Sequence, residues 1–377
     1  MKKKRKYTFR KFMNDVHLWL GLGSGIVLFL VCFSGTMLVF EKEIKALFAE
    51  DLKIKNKEEI IEIGDLVENL KSRGEVLGVS ISNKETDPYE FRVKTSPEDR
   101  RGTIFFVDPH TGDTLKAPES SLDGFFMSMF RLHRWLLLDT AIGRPIVGVA
   151  TIIFFFLAVS GIIIWFPKKW KWRNFKPGFK IKFSAKWKRI NHDLHNTLGF
   201  YSCIFLVVMI LTGLCWSFEW YRDAGSQVLG TKVFGNRGSP GIESQLDFDP
   251  SEELTVAEIY KVASKELNYN GITSISLPSS KKGVFQIRKY DESNWSPVVS
   301  DQLVLDRNGE MLQKEIFKEK PLNVQVASLI KPLHTGEIFG MFSKVLYFIS
   351  CLIATSLPVT GTIIWLNKMK KKKVSSK

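Results

Sequence analysis

Residues 15–41 read DVHLWLGLGSGIVLFLVCFSGTMLVFE. Between His17 and Phe40 no residue carries a fixed charge. About 20 apolar residues suffice for a helix to cross a bilayer, so a span is expected over 17–40. The stretch is too long for a cleaved leader and lacks a small-x-small site before Phe40. Three further segments pass the same test, at 146–166, 195–219 and 345–366. Their ends carry the aromatic and charged residues expected at a membrane interface: Phe40-Glu41, Trp165-Phe166-Pro167, Glu219-Trp220 and Trp365.

Charge orients these spans. The N-terminus up to Lys11, the loop 167–191 and the tail after Trp365 hold 23 of the 54 basic residues and no acidic ones. The other 31 basic residues face all 39 acidic ones. Cationic short segments stay in the cytoplasm, so both termini and the 167–191 loop are expected inside, and the two long segments outside. The net charge of +15 therefore reads as topology and contact with anionic membrane lipid, not as nucleic-acid binding. The four cysteines, Cys32, Cys203, Cys215 and Cys351, lie within the spans. They imply no disulfide framework, and no C-x-x-C-H haem-attachment motif occurs.

The chain matches itself at a separation near 200. DVHLWLG (15–21) aligns with DLHNTLG (193–199), and SGTMLVFE (34–41) with TGLCWSFE (212–219). SGIIIWFPK (160–168) aligns with TGTIIWLNK (360–368), and RLHRW (131–135) with PLHTG (332–336). Each half reads as span, external domain, histidine-bearing approach, span. Two tandem repeats of equal orientation are expected to pack about an axis along the membrane normal. Both external segments read as small α+β modules. The first has a helix at 64–73, strands near 76–82, 89–95 and 103–108, and the closing turn DPHTGDTL. The second has a helix at 255–266, strands near 272–277, 283–289 and 301–306, and the closing turn DRNGEML. Neither contains a hydrolytic triad, and His110 reads as a surface residue in a turn.

The ordered set HLWLGLGSG, SGTMLVF, LHRWLLL, GIIIWFPK, HDLHNTLG and LHTGEIFG resembles the PepSY-associated transmembrane family over nearly the whole chain. That resemblance implies a bacterial inner-membrane protein with external PepSY-like modules, of a kind often linked to iron acquisition. Some members are ferric-siderophore reductases carrying b-type haem. The organisation expected here is a basic N-terminus (1–16), TM1 (17–40), module 1 (41–125), an approach helix with TM2 (126–166) and a basic loop (167–191). TM3 (192–220), module 2 (221–330), an approach with TM4 (331–366) and a basic tail (367–377) follow.

Five of the six histidines cluster at span ends. The repeat relates His17 to His195 near the cytoplasmic face and His133 to His334 on the external approaches. Two repeat-related imidazoles facing a shared axis suit the axial positions of one haem, which gives two haem b sites across the membrane. Ionisable residues beside spans are functional-site candidates. His192 has Asn14 at its matching position. It reads as an alternative ligand, a propionate partner or a proton relay. Asp15 and Asp193, or a backbone carbonyl, are candidates to orient the imidazoles. Gly21, Gly23, Ser24, Gly25, Gly199 and Ser202 fit either a flat cofactor or plain helix contacts. Arg131 and Arg134 flank His133 and could meet propionates, an anionic chelate, or only solvent. The distance from His133 to Phe166, ~50 Å as continuous helix, places His133 outside a ~30 Å hydrocarbon core, with a bend expected at Gly143-Arg144-Pro145.

The leading expectation is a haem-dependent reductase that passes electrons to a ferric siderophore or other ferric chelate outside. With no nucleotide or flavin fingerprint, its electrons come from membrane quinol or a separate cytoplasmic reductase. The loop with Trp170, Trp172 and Trp187 reads as an interface anchor or as that donor's docking surface. The competing expectation is a non-enzymatic membrane module that regulates or assists metal or siderophore transport.

Overall fold

The computed structural model describes residues 7–48, 54, 59–97, 99, 102–115, 122–234, 241–244 and 253–374. Residues 1–6 of the basic N-terminus and 375–377 of the tail lie outside the described residues. In chain order the helices are α1 (Phe9–Leu38), α2 (Glu41–Phe48), α3 (Ile63–Lys71), α4 (Asp123–Trp135), α5 (Thr140–Trp165), α6 (Trp172–Phe175), α7 (Trp187–Asp193), α8 (Gly199–Ser217), α9 (Glu219–Leu229), α10 (Val256–Glu266), α11 (Leu322–Thr335) and α12 (Gly340–Val374). The strands are β1 (Glu75–Ile81), β2 (Tyr89–Lys94), β3 (Thr103–Val107), β4 (Thr114–Leu115), β5 (Thr273–Ser276), β6 (Phe285–Tyr290), β7 (Ser300–Leu305) and β8 (Met311–Glu315). The chain forms two compact units, 1–45 with 121–233 and 329–377, and 46–120 with 234–328.

The first unit is helical. Four helical segments are long and apolar enough to cross a membrane: Phe9–Leu38, Thr140–Trp165, Trp187–Ser217 and Glu337–Lys370. Each begins about six to eight residues before the apolar run that marks it in the sequence. Once a helix is nucleated, propagation through polar residues adds a hydrogen bond for each residue fixed. At α1 the Thr8 side chain also caps the start, accepting from the Lys11 amide. α7 runs into α8 through a π-helical turn, Leu194–Leu198. α1 packs against both α5 and α12, and α8 packs against the same two, so α1 and α8 lie diagonally across a four-helix bundle. Leu28, Ala150 and Leu157 form part of its interior.

The break before the second span is not at Gly143-Arg144-Pro145. α4 ends at Trp135, and Leu136 and Leu137 adopt left-handed backbone (φ 55° and 61°) before α5 begins at Thr140. Pro145 sits inside α5, past its first turn, and costs the helix one backbone hydrogen bond without ending it. Gly143 serves close packing instead. A Cβ there would lie 2.0 Å from the Trp135 carbonyl oxygen. The second half breaks at Gly336 and Gly340, both at positive φ, between α11 and α12.

The second unit is one antiparallel eight-stranded sheet, in the order β4-β3-β2-β1-β5-β6-β7-β8. Read as sequence, the two α+β modules are separate. In the structure their first strands pair, Val79 opposite Ile275 and Ser80 opposite Ser274, with the two serine hydroxyls 2.8 Å apart. β4 and β8 extend the edges into the stretches read as closing turns. β2 and β6 share one alternation of buried and exposed residues. Their inward side chains, with Ile63, Leu66 and Leu70 of α3 and Ile259 and Ala263 of α10, form a single core. Thr255 and Glu258 start α10 with a reciprocal capping box.

Candidate functional site

The helical unit brings together both histidine pairs read from the sequence. The rings of His17 and His195 have centroids 6.3 Å apart, and those of His133 and His334 are 6.2 Å apart. His17 lies on α1 and His195 on the π turn that leads into α8, so one pair bridges the bundle's diagonal. π-helical turns occur often at functional sites. His133 and His334 come from α4 and α11.

Each imidazole rests in the same kind of seat, made by a Ser-Gly or Thr-Gly dipeptide of a neighbouring spanning helix. His17 Nδ1 is 2.9 Å from Ser160 Oγ and also meets the Leu157 carbonyl. His195 Nδ1 is 2.9 Å from Thr360 Oγ1 and meets the Leu357 carbonyl. His133 Nδ1 lies 2.9 Å from the Val31 carbonyl oxygen. His334 Nδ1 is 3.0 Å from the Met209 carbonyl oxygen and 3.2 Å from Thr212 Oγ1. The glycine after each hydroxyl residue clears room for the ring. A Cβ on Gly35, Gly161, Gly213 or Gly361 would sit 3.0, 3.5, 2.9 or 3.2 Å from the Cε1 of its histidine. In every seat the carbonyl comes four residues before the glycine and the hydroxyl residue one before it.

These seats fix the tautomer. The hydroxyls of Ser160, Thr360 and Thr212 donate their hydrogens to carbonyls of their own helices. They can therefore only accept from the imidazole, as a carbonyl must. The proton thus belongs on Nδ1 of all four rings, and Nε2 is left bare, the form in which a histidine binds a metal.

The arrangement suits haem better than a bare ion. Among the described residues no group of three or more His, Cys, Asp or Glu could hold a metal ion. A bare ion would find two imidazoles, whereas a porphyrin brings four nitrogens of its own. An imidazole nitrogen lies about 2.0–2.1 Å from a bound metal and about 1.1 Å from its ring centre, so two axial imidazoles on one metal have centroids about 6.3 Å apart. Both pairs match that separation. A cavity of about 290 Å³ adjoins His17 and His195, walled by Gly21, Gly199, Leu206, Phe200 and Trp165. Gly21 and Gly199 stand four residues after their histidines, one helical turn on, and open the wall on that face.

Other expected residues fall differently. His192 lines the same cavity but its side chain is half exposed, 3.6 Å from Asp193. Asp193 is buried and accepts from Arg189 and the Lys182 amide, and Asp15 accepts from Tyr7. Neither aspartate orients the imidazole of His17 or His195; the backbone carbonyls and seat hydroxyls do, while Asp193 faces His192. A Cβ on Gly23 would meet nothing within 4 Å and one on Gly25 would meet Pro358, and the Ser24 and Ser202 hydroxyls bond their own helices. Arg131 is exposed, and Arg134 stacks over Phe130 and Trp135. Two buried donors were not foreseen: Trp135 Nε1 and Arg144 Nε have no hydrogen-bond partner among the described residues. Trp216 packs on His334 with centroids 5.2 Å apart. The expectation that His133 stands above the membrane rim is also revised. Its seat spans Val31 to Gly35 of α1, about 5–10 Å inside that helix's end at 1.5 Å per residue. α4 is a separate helix packed against α1, so the length argument for one continuous helix does not apply.

Four membrane-crossing helices, an eight-stranded sheet unit and two histidine pairs in the helical unit define a multi-pass membrane protein. The chain matches the PepSY-associated TM region over residues 15–368 and belongs to that family. No curated protein matches it.

Proposed function

We propose that this chain is a haem-b membrane reductase that passes electrons across the bacterial inner membrane to a ferric chelate, most simply a siderophore. The observation that carries this reading is the pair of imidazole couples, 6.3 and 6.2 Å apart, each ring fixed as an Nδ1–H donor. Haem bound between each couple would supply a low-spin, one-electron redox centre. His17 with His195, and His133 with His334, would hold it. Arg144 and Trp135, with Arg131 and Arg134 on α4, offer cationic or N–H partners to propionates or to an anionic chelate. His192, at the wall of the first cavity, stands where it can exchange a proton with solvent.

The two couples are seated ~21–27 Å apart along α1, from His17 to the Val31–Gly35 seat. That spacing separates them across most of a bilayer. The basic segments put both termini and the 167–191 loop in the cytoplasm, with the sheet unit outside. The matched halves then form two tandem repeats. The electron donor is quinol or a cytoplasmic reductase. Transfer to the chelate weakens it, because hard catecholate or hydroxamate oxygens prefer ferric iron to ferrous.

Purified protein from haem-replete cells is expected to be red, with a Soret band and sharp α and β bands on dithionite reduction. Alanine at His17, His133, His195 or His334 singly removes about half the haem. A colourless wild-type protein overturns the proposal. Four variants with unchanged spectra overturn the ligand assignment.

A further inference from the structure

The four seats are not equal. Ser160, Thr360 and Thr212 each place a hydroxyl oxygen 2.9–3.2 Å from the Nδ1 they face. Ser34 occupies the matching place beside His133 but, among the described residues, bonds only the carbonyls of Leu30 and Val31, at 2.7 and 3.0 Å. Among the described residues His133 Nδ1 is held by the Val31 carbonyl alone.

We propose that the hydroxyls of Ser160, Thr360 and Thr212 are positioning residues that set the electron-donating strength of His17, His195 and His334, and that Ser34 is not one. An acceptor at Nδ1–H draws that proton and pushes electron density onto Nε2. A more basic Nε2 stabilises the higher oxidation state of whatever metal it binds. Two acceptors do so more than one. The His17–His195 couple thus carries the fuller set, and the His133–His334 couple is served on one ring only. The couples are therefore biased apart in potential, with the His17–His195 couple the lower and the more ready to pass an electron to the other. This inference rests on the haem reading above.

The test is potentiometric titration of the intact purified protein, followed by its α bands, with haem content measured in parallel. Thr360→Val keeps side-chain volume and removes the hydroxyl, both as acceptor for His195 Nδ1 and as donor to the Ser356 carbonyl. It is expected to shift the redox equilibrium of the lower-potential centre three- to tenfold towards the ferrous form, about 30–60 mV upward at 59 mV per tenfold. Ser160→Ala acts on the same centre and Thr212→Val on the other. Thr360→Ser restores the wild-type value, and Ser34→Ala moves neither centre. Full haem content with potentials unmoved by Thr360→Val and Thr212→Val overturns this inference and leaves the haem reading standing. So does a Ser34→Ala shift equal to that of Thr212→Val. A colourless wild-type protein overturns both.

Discussion

Gly213→Ala is the sharpest test of the seats. The new Cβ would lie 2.9 Å from His334 Cε1, 3.4 Å from Nδ1 and 3.8 Å from Nε2. Carbon atoms settle at about 3.5–4.0 Å, so the ring must withdraw by about 0.6–1.1 Å. It cannot do so freely. Both acceptors of its Nδ1, the Met209 carbonyl and Thr212 Oγ1, sit on the same helix as Gly213, at 3.0 and 3.2 Å. Retreat stretches both bonds, each worth about 0.5–1.5 kcal/mol. Overpacking adds strain of about 1–3 kcal/mol when the neighbour is held. Alanine returns up to about 1 kcal/mol of helix propensity. The ring either retreats and loses those bonds or stays and bears the strain, so after the helix gain the net loss is about 1–2 kcal/mol, five- to thirtyfold weaker retention of haem. The assay is haem per protein by pyridine haemochrome, with melting temperature of the whole chain in detergent. The other glycines make a graded series: Gly35 at 3.0 Å, Gly361 at 3.2 Å, Gly161 at 3.5 Å and Gly23 with nothing within 4 Å. Haem loss should fall in that order, and Gly23→Ala should lose none. Full haem retention in Gly213→Ala, or a series with no relation to these distances, refutes the seat geometry.

Two further predictions concern stability. Lys344 is buried on α12, with its ammonium 2.5 and 2.7 Å from the two oxygens of Glu43. Glu43→Gln leaves that charge without its counter-ion. A fully buried pair would lose about 3–5 kcal/mol, and the partial exposure of Glu43 lowers this to about 1–3 kcal/mol, read as a lower melting temperature that Glu43→Gln with Lys344→Met recovers. In the sheet unit, burial and a 2.9 Å bond to Asp301 raise the Tyr269 phenol above its ordinary 10.0. A raised pKa stabilises the fold below pH 10, and the stabilisation is lost as pH climbs towards the folded-state value. Tyr269→Phe should therefore cost about 1 kcal/mol at neutral pH and flatten the alkaline limb of a stability–pH profile; an unchanged limb would show that another group controls it.

The sequence carried the spans and the histidine pairing because both write themselves in linear patterns. Apolar length marks the spans, and the matched halves pick which histidine meets which. The seats were also written there, as Ser34-Gly35, Ser160-Gly161, Thr212-Gly213 and Thr360-Gly361, but as small residues inside apolar runs they read as ordinary helix texture. Their meaning depends on which helix neighbours which, and no local pattern states that. The turn after α4 left no mark, since Leu136 and Leu137 take positive φ without a glycine. The union of two modules into one sheet was hidden for a related reason. β1 and β5 look like any half-buried strands, and their pairing is a choice of partner, not of conformation.

The placement of the seats bears on why the chain has two matched halves. His17 and its seat at Ser160 both belong to the first half, as do His133 and its seat at Val31. His195 and Thr360, and His334 and Met209, belong to the second. One half thus builds and orients two complete imidazoles but supplies only one to each couple. A metal needing two axial ligands is held only when the halves pack against each other through α1 with α12 and α5 with α8. The sheet repeats this logic, because β1 and β5 would be bare edges until they pair. On the proposed repeat, an ancestral single half would have formed both couples and the continuous sheet by pairing with a second copy of itself. Within each couple the halves differ at a matched position, Ser34 against Thr212 beside His133 and His334, and Asn14 against His192 beside His17 and His195.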